Sequence, residues 1–377
     1  DDHDYRILPG DTLNGIGKRL LEFPRDWRVV ERYNRIADPY RLTPGASLRI
    51  PVSLLRREPV KARVTAVSGN VTANDEKIAA GADVAGGASV ATGAASFATI
   101  ELVDGSRLLL QPNSRIKVED LARHRYTETT ETRLRLERGR MESVVVKTPR
   151  ARPHFSVVTP TATIGVRGTR FRVGADEQGA TTQTEVTDGT VAVGDGGKST
   201  AVPAGYGVIA EAGGKVSAPV ALLPAPELGG LPTLQERTIV RFAFPPVAGA
   251  RQYRVQVGAD PDMRNVLADI VSPIPEAKFA DLPDGHYNVR VRGIDARGLE
   301  GRDADAPFRI KARPEPPFAL SPIGGVKLRA ESAEFSWSSH PDAQHYQIQL
   351  ADATGFGQPL VDIERVDGTT VMPARKL

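Results

Sequence analysis

Apolar residues recur at helical spacing only within about the first fifty residues of this chain. From about residue 62 onward they alternate with a period of two, so the fold after a short helical start has to be built from strands. In the opening segment an extended Tyr5-Arg-Ile-Leu8 is followed by a Pro9-Gly10 turn, and Asp11 stands as the expected N-cap of a helix carrying Leu13, Ile16, Leu20 and Leu21. Pro24 breaks that helix. Asp26 is expected to cap a second one, with Val29, Val30, Tyr33 and Ile36 along one side, and Leu48-Arg-Ile50-Pro51 returns as a strand after the Pro39, Pro44 and Gly45 loop. The order is β-α-α-β within residues 4–51. Residues 52–61 have no regular period and are expected to be a linker.

Between 62 and 217 short alternating runs follow one another: Val64 to Val71, Phe97 to Leu102, Leu108 and Leu110, Ile116 and Val118, Leu134 and Leu136, Val144 and Val146, Val191 and Val193. Gly or Asn turns such as Asp104-Gly105 and Pro112-Asn113 separate them, the pattern of an all-β domain. Residues 218–235 are rich in Pro and Gly and are expected to be a semi-stiff connector. The remainder holds an internal repeat. Shifted by 93 without a gap, Phe242, Phe244, Tyr253, Val255, Gln256, Val257 and Asp269 fall on Phe335, Trp337, Tyr346, Ile348, Gln349, Leu350 and Asp362, as a tandem pair of sandwich domains would.

Composition excludes several chemistries. The 377 residues contain no Cys, which rules out disulfide scaffolds, Cys-ligated metals and thiol catalysis. An uncharged run from Val84 to Ile100 is too short and too polar to be a transmembrane helix. Net charge is only +3, so any electrostatic partner has to be sought locally.

Three resemblances emerge. Residues 4–51 resemble a LysM domain through Tyr5, Pro9-Gly10-Asp11-Thr12-Leu13, Ile16, Trp27, Asn34, Ile36, Pro44-Gly45 and Leu48-Arg49-Ile50-Pro51. That family binds N-acetylglucosamine-containing glycans, peptidoglycan in bacteria. The resemblance implies a groove with Gly10, Asp11, Thr12 and Leu13 on one wall and Ile36, Ala37, Asp38, Pro39, Tyr40 and Leu42 on the other. Asp11 could equally serve as a cap, and Leu13 and Ile36 as core. The strings Thr92–Pro112 and Thr159-Pro160-Thr-Ala-Thr-Ile-Gly165-Val166-Arg167-Gly168-Thr169-Arg170-Phe171-Arg172-Val173, with Asp188-Gly189-Thr-Val191, resemble the FecR periplasmic domain. That family implies a regulator receiving a signal from an outer-membrane transporter. No helix and cytoplasmic anti-sigma segment accompany the strings in this sequence, so only the β module carries over. The motif's Gly165, Arg167 and Gly168 are expected to be structural. Leu282-Pro-Asp-Gly285-His-Tyr287 to Asp295 resembles the fibronectin type III strand that bears the tyrosine corner, with Tyr287 as that tyrosine.

No catalytic constellation is legible. His-Glu-x-x-His, Gly-x-Ser-x-Gly and paired-Cys motifs are missing. Gly194-Asp-Gly-Gly197-Lys198-Ser199 imitates a phosphate loop, but Ala192 stands where its first Gly belongs and the flanking Val191 and Val193 indicate a hairpin. Charge is uneven instead. Residues 123–172 hold twelve Arg or Lys against four Glu, +8 within a 62–217 segment that totals +2. Arg133, Arg135, Arg138 and Arg140 interleave with Leu134 and Leu136, an expected outer strand face that is either simply solvated or contacts an anionic partner. The patch lacks the interleaved aromatics that nucleic acid would need.

The expected architecture is therefore mainly β and multi-domain. It comprises a small βααβ LysM-like domain (1–54), an all-β FecR-like domain (60–217), a linker (218–235), and fibronectin-like sandwiches at 236–313 and 314–377. The second copy should lack its last strands, because the counterpart of Leu282–Asp295 would fall at 375–388, so Leu377 is expected not to be the natural C-terminus. The expected role is a non-enzymatic, peptidoglycan-anchored scaffold or sensory protein of a Gram-negative periplasm or envelope, with its signal peptide removed. Its partners would be peptidoglycan and another envelope protein, with neither metal nor cofactor implied. A subunit of a peptidoglycan-remodelling hydrolase and a surface-adhesion or polysaccharide-binding protein are the alternatives.

Overall fold

The computed structural model describes residues 2–127, 129–147, 155–195, 197–314, 317–326, 333–352 and 359–372. It is mainly β, with 49% strand and 6% helix. The chain divides into two compact units, one of 1–231, 242–277 and 287–307, the other of 232–241, 278–286 and 308–377.

In the first unit, β1 (Asp2–Arg6) pairs antiparallel with β2 (Ser47–Pro51), and α1 (Leu13–Leu20) and α2 (Trp27–Asn34) lie between them in sequence. Leu13, Ile16, Leu20, Leu21, Val30, Leu48 and Ile50 form the core of this lobe. Two local expectations need correcting. The N-cap of α1 is Thr12, whose hydroxyl accepts from the Gly15 N–H at 3.1 Å; the Asp11 carboxylate is engaged elsewhere. On α2 only Val30 is buried, while Val29 and Tyr33 face solvent. Inward residues of a helix recur every three to four positions, and Trp27 and Val30 take that stripe.

The expected linker at 52–61 is an ordered joint. Leu55 is fully buried in the core of the lobe, the Arg56 N–H donates to Leu20 O, and Arg57–Pro59 pairs antiparallel with Ala122–His124. Tyr126 packs on the same core and donates its hydroxyl to Arg19 O. A three-residue strand is too short to show a period, which is why the sequence hides it.

From Lys61 onward the strands close into a barrel over one continuous core of Val, Ile, Leu and Phe side chains. The longest strand, Thr130–Val144, serves two sheets. Its first part pairs with Arg115–His124 and Phe155–Val158, its second with Arg107–Leu110 and Arg170–Ala175. Gly139 makes the corner at φ +84°, where a Cβ would come within 2.3–2.7 Å of Ser114. Ile164, Val166, Phe171 and Val173 are all buried, and Phe155 meets Phe171 edge-on with ring centroids 6.2 Å apart. Gly168, at φ +65°, passes so near Lys147 that a Cβ would sit 2.4 Å from its Cα. Thr190–Gly194 and Ser199–Pro203 form the hairpin that disqualifies the phosphate-loop imitation.

The 218–235 connector also begins as ordered structure. Val220–Ala221 pairs with Tyr206–Gly207, and the buried Leu222 donates its N–H to Gly205 O. Strand Gln252–Gly258 then pairs with Val266–Ser272 on one side and with Asn288–Ile294 on the other. These strands fall in the first unit together with the barrel.

In the second unit, Leu234–Gln235 runs parallel to Arg309–Ile310, and Phe335–Trp337 pairs with Ala319–Ser321 and Thr370–Val371. The 93-residue repeat survives in detail. The Val247 N–H donates to the Tyr253 hydroxyl and the His340 N–H to that of Tyr346, at 2.9 and 2.8 Å. Phe244–Tyr253 and Trp337–Tyr346 are matching edge-on pairs at 5.3 and 5.6 Å. In the first copy the Tyr253 hydroxyl thus accepts from backbone upstream, and Tyr287 is a buried strand residue. Residues 375–377, on which the expected truncation turns, lie outside the described residues.

Candidate functional site

In the N-terminal lobe, the two expected groove walls do approach each other: the Leu13 N–H donates to Pro39 O at 3.1 Å. Their residues divide by role. Leu13 is 1% exposed and belongs to the core. The Asp11 carboxylate accepts from the Tyr5 hydroxyl (2.7 Å), the Leu8 N–H (2.9 Å) and Arg19 (3.0 Å). Burial pushes its pKa up, but those hydrogen bonds outweigh it and hold the carboxyl below its ordinary value. Thr12 caps α1. Gly10, Ala37, Asp38 and Tyr40 are exposed, while Ile36, Pro39 and Leu42 are half-buried. Tyr40 is 73% exposed on a turn closed by its own N–H donating to the Asp38 carboxylate.

On the barrel, Arg133, Arg135 and Arg138 emerge from one stretch of Thr130–Val144, with Leu134 and Leu136 fully buried behind them. Glu119 serves both Arg133 (2.9 Å) and Arg135 (2.5 Å); burial raises its pKa, and the two guanidiniums more than reverse that. Cross-strand neighbours add like charge: Arg115 faces Arg138 and Lys117 faces Arg135. Like charges directly opposite each other destabilise a sheet. Among the described residues Arg138 and Lys117 have no carboxylate at ion-pair distance. Arg150 and Arg152 of this basic stretch lie outside the described residues.

Arg140 departs from the expected face. It lies beyond the Gly139 corner, and the outer sheet face there is covered by strands of the first sandwich copy. Its guanidinium pairs with Glu185 at 2.8 Å and Glu300 at 3.1 Å. Around it lies a buried ionic network that no local sequence pattern announces. Arg292, 0% exposed, meets Glu142, Glu300 (2.7 Å), Asp303 (2.9 Å) and Gln256 (2.9 Å). Arg254 bridges Asp269 and Glu300, and Arg172 reaches Asp303 and the carbonyls of Glu300 and Gly301. Burial pushes the Glu142, Glu300 and Asp303 pKa values up, and the surrounding arginines drive all three below the ordinary range, Asp303 to about 2. Arg290 and Arg292 alternate with Val289 and Val291 as any solvated strand would, so only the partner surface reveals their role.

Among the described residues no group of three or more His, Asp or Glu could hold a metal ion, and no helix is long and apolar enough to cross a membrane. The fold defines a class: a mainly β, multi-sheet protein. Its central region is FecR-type, since residues 88–192 match the family described as FecR protein, a span that includes both motif strings. No curated protein matches the chain. Two crystal structures of a candidate anti-sigma factor from Parabacteroides distasonis are similar at 16% and 17% identity, with TM-scores of 0.29 and 0.30. Each match covers 35% of this chain and 59% of that one, so the chain spans little more than half of those proteins. The extracellular domain of a candidate one-component system from B. thetaiotaomicron is similar at 9% identity and a TM-score of 0.17, over 58% of this chain and 36% of that one.

Proposed function

We propose that this chain is a non-enzymatic cell-envelope protein that senses or relays a signal by binding. The observation that carries this reading is the FecR match over residues 88–192. The FecR-type barrel is the receiving module, and its partner is an envelope protein with an acidic face. The Arg133, Arg135 and Arg138 surface supports that choice, because Arg115 and Lys117 place like charge opposite it at a cost in stability that an anionic partner would relieve. The N-terminal lobe is the anchor. Exposed Tyr40 beside the backbone groups of Ala37 and Asp38 suits an N-acetylated sugar, which offers one apolar face and amide groups.

Co-sedimentation of the whole chain with purified peptidoglycan tests the anchor. Tyr40→Ala should weaken it severalfold while leaving the melting temperature unchanged, since the ring is already in water. Undiminished sedimentation of that variant would remove the glycan role from this loop. A cleared band in a peptidoglycan zymogram would replace the whole reading with that of a hydrolase.

A further inference from the structure

We propose that a cleft beside the ionic network is a binding site for a small zwitterion, an amino acid or short peptide, whose carboxylate docks on Arg170 and Arg302. The cleft has a volume of about 560 Å³, and both guanidiniums line it together with Asp188, Asp303 and Asp305. The charges around it are unequally satisfied. Asp303 is paired with Arg172 at 2.6 Å and Arg292 at 2.9 Å, and Asp305 with Arg290 at 2.7 Å. Asp188 lies 3.7 Å from Lys147. Among the described residues Arg170 and Arg302 have no carboxylate at ion-pair distance.

The surroundings sharpen this. Arg302 lies against bare backbone at Gly205, where a Cβ would sit 2.6 Å from its Nη2, so only a glycine there leaves room for the guanidinium. Arg170 also lines a small adjoining cavity with Arg107. Burial, with Arg264 and Arg170 adding to it and Asp262 and Asp260 opposing it, holds the Arg107 pKa below its ordinary value. A guanidinium pair of this kind suits a carboxylate, which it can hold by paired hydrogen bonds. The acids decide against a more highly charged anion such as phosphate, whose second charge would face Asp188, Asp303 and Asp305. Asp188, on an exposed side chain with one oxygen toward Lys147, keeps its other oxygen to accept from an ammonium group, and Asp305, held by Arg290 through both oxygens, retains spare lone pairs beside it.

Ligand-observed NMR on the whole chain tests the site, with L-alanyl-L-alanine, acetate and inorganic phosphate as probes. The dipeptide should show saturation transfer, acetate should bind more weakly, and phosphate should fail to displace the dipeptide at equal concentration. The double variant Arg170→Gln/Arg302→Gln should lose affinity by about tenfold or more, the scale of a lost charged hydrogen bond. Because neither arginine has a carboxylate partner among the described residues, its melting temperature should stay at or above that of the parent, which separates loss of the site from loss of the fold. Dipeptide binding that survives the double variant would overturn the proposal, as would the absence of dipeptide binding to the parent chain. Displacement by phosphate at equal concentration would overturn the zwitterion assignment.

Discussion

Strand Thr130–Val144 carries arginines into two environments, and the contrast between its halves is instructive. Before the Gly139 corner, Arg133, Arg135 and Arg138 stand in or near water; the first two share one glutamate, and Arg135 and Arg138 face Lys117 and Arg115. One residue past the corner, Arg140 enters a network where each buried charge has its counter-charge. The residue type and the strand are the same; what differs is whether another part of the chain covers the face. On the open half a guanidinium is available to a partner and contributes little to stability, as exposed ion pairs generally do. On the covered half, the ions of barrel and sandwich copy are mutually indispensable, since removing one leaves the others buried and uncompensated.

The strongest attempt to break this contrast is Arg292→Met. With Glu142 and Glu300 left short of a cation, urea unfolding should show a loss of about 3–5 kcal/mol. A loss below about 1 kcal/mol would mean that the covered half behaves as the open one does.

Acid titration is the second. Folded-state pKa values held below the ordinary range stabilise the protein above the unfolded values and lose that contribution as pH falls through the folded ones. Glu142, Glu300 and Asp303 should therefore give a melting temperature that drops from about pH 4.5 toward pH 2, the Asp303 part of it centred near the acid end. Asp269, whose pKa burial raises despite Arg254, works in the opposite direction and offsets part of the drop. Asp303→Asn should flatten the lowest-pH portion; a curve identical to that of the parent would remove Asp303 from the network's energetics.

Arg138→Glu should have the smallest effect on folding, within about 0.5 kcal/mol and on the stabilising side, because it replaces a like-charge cross-strand pair with an opposite one. A melting temperature several degrees lower would show that this half is covered as well.

The sequence made legible whatever is local or periodic. The βααβ order, the hairpin at 190–203 and the buried apolar positions of the 159–173 motif follow from spacing and turn residues. The 93-residue shift located Tyr253 and Tyr346, which make the same backbone bond in both copies. What remained hidden depends on distant partners. Asp11 and Thr12 are equally good capping residues, and Tyr5 and Arg19 decide between them by claiming the carboxylate. In Arg115–Arg138 pairing, a bulge next to Glu137 shifts the alternation just before Gly139 turns the strand, so Arg140 cannot be assigned to a face by counting. Its cover arrives with Glu300, far along the chain.

The short joint at Leu55–Pro59 has a mechanical consequence. A flexible tether would let a load on the N-terminal lobe take up slack before reaching the barrel. Here the chain passes from a fully buried leucine straight into a hydrogen-bonded strand, with Arg57 clamped to Asp120 and Glu131. A load on the lobe would pass without slack to Arg115–His124, the strand that also holds Arg115 and Lys117 opposite the open arginine face. Any such load and the open arginine face thus meet on a single strand.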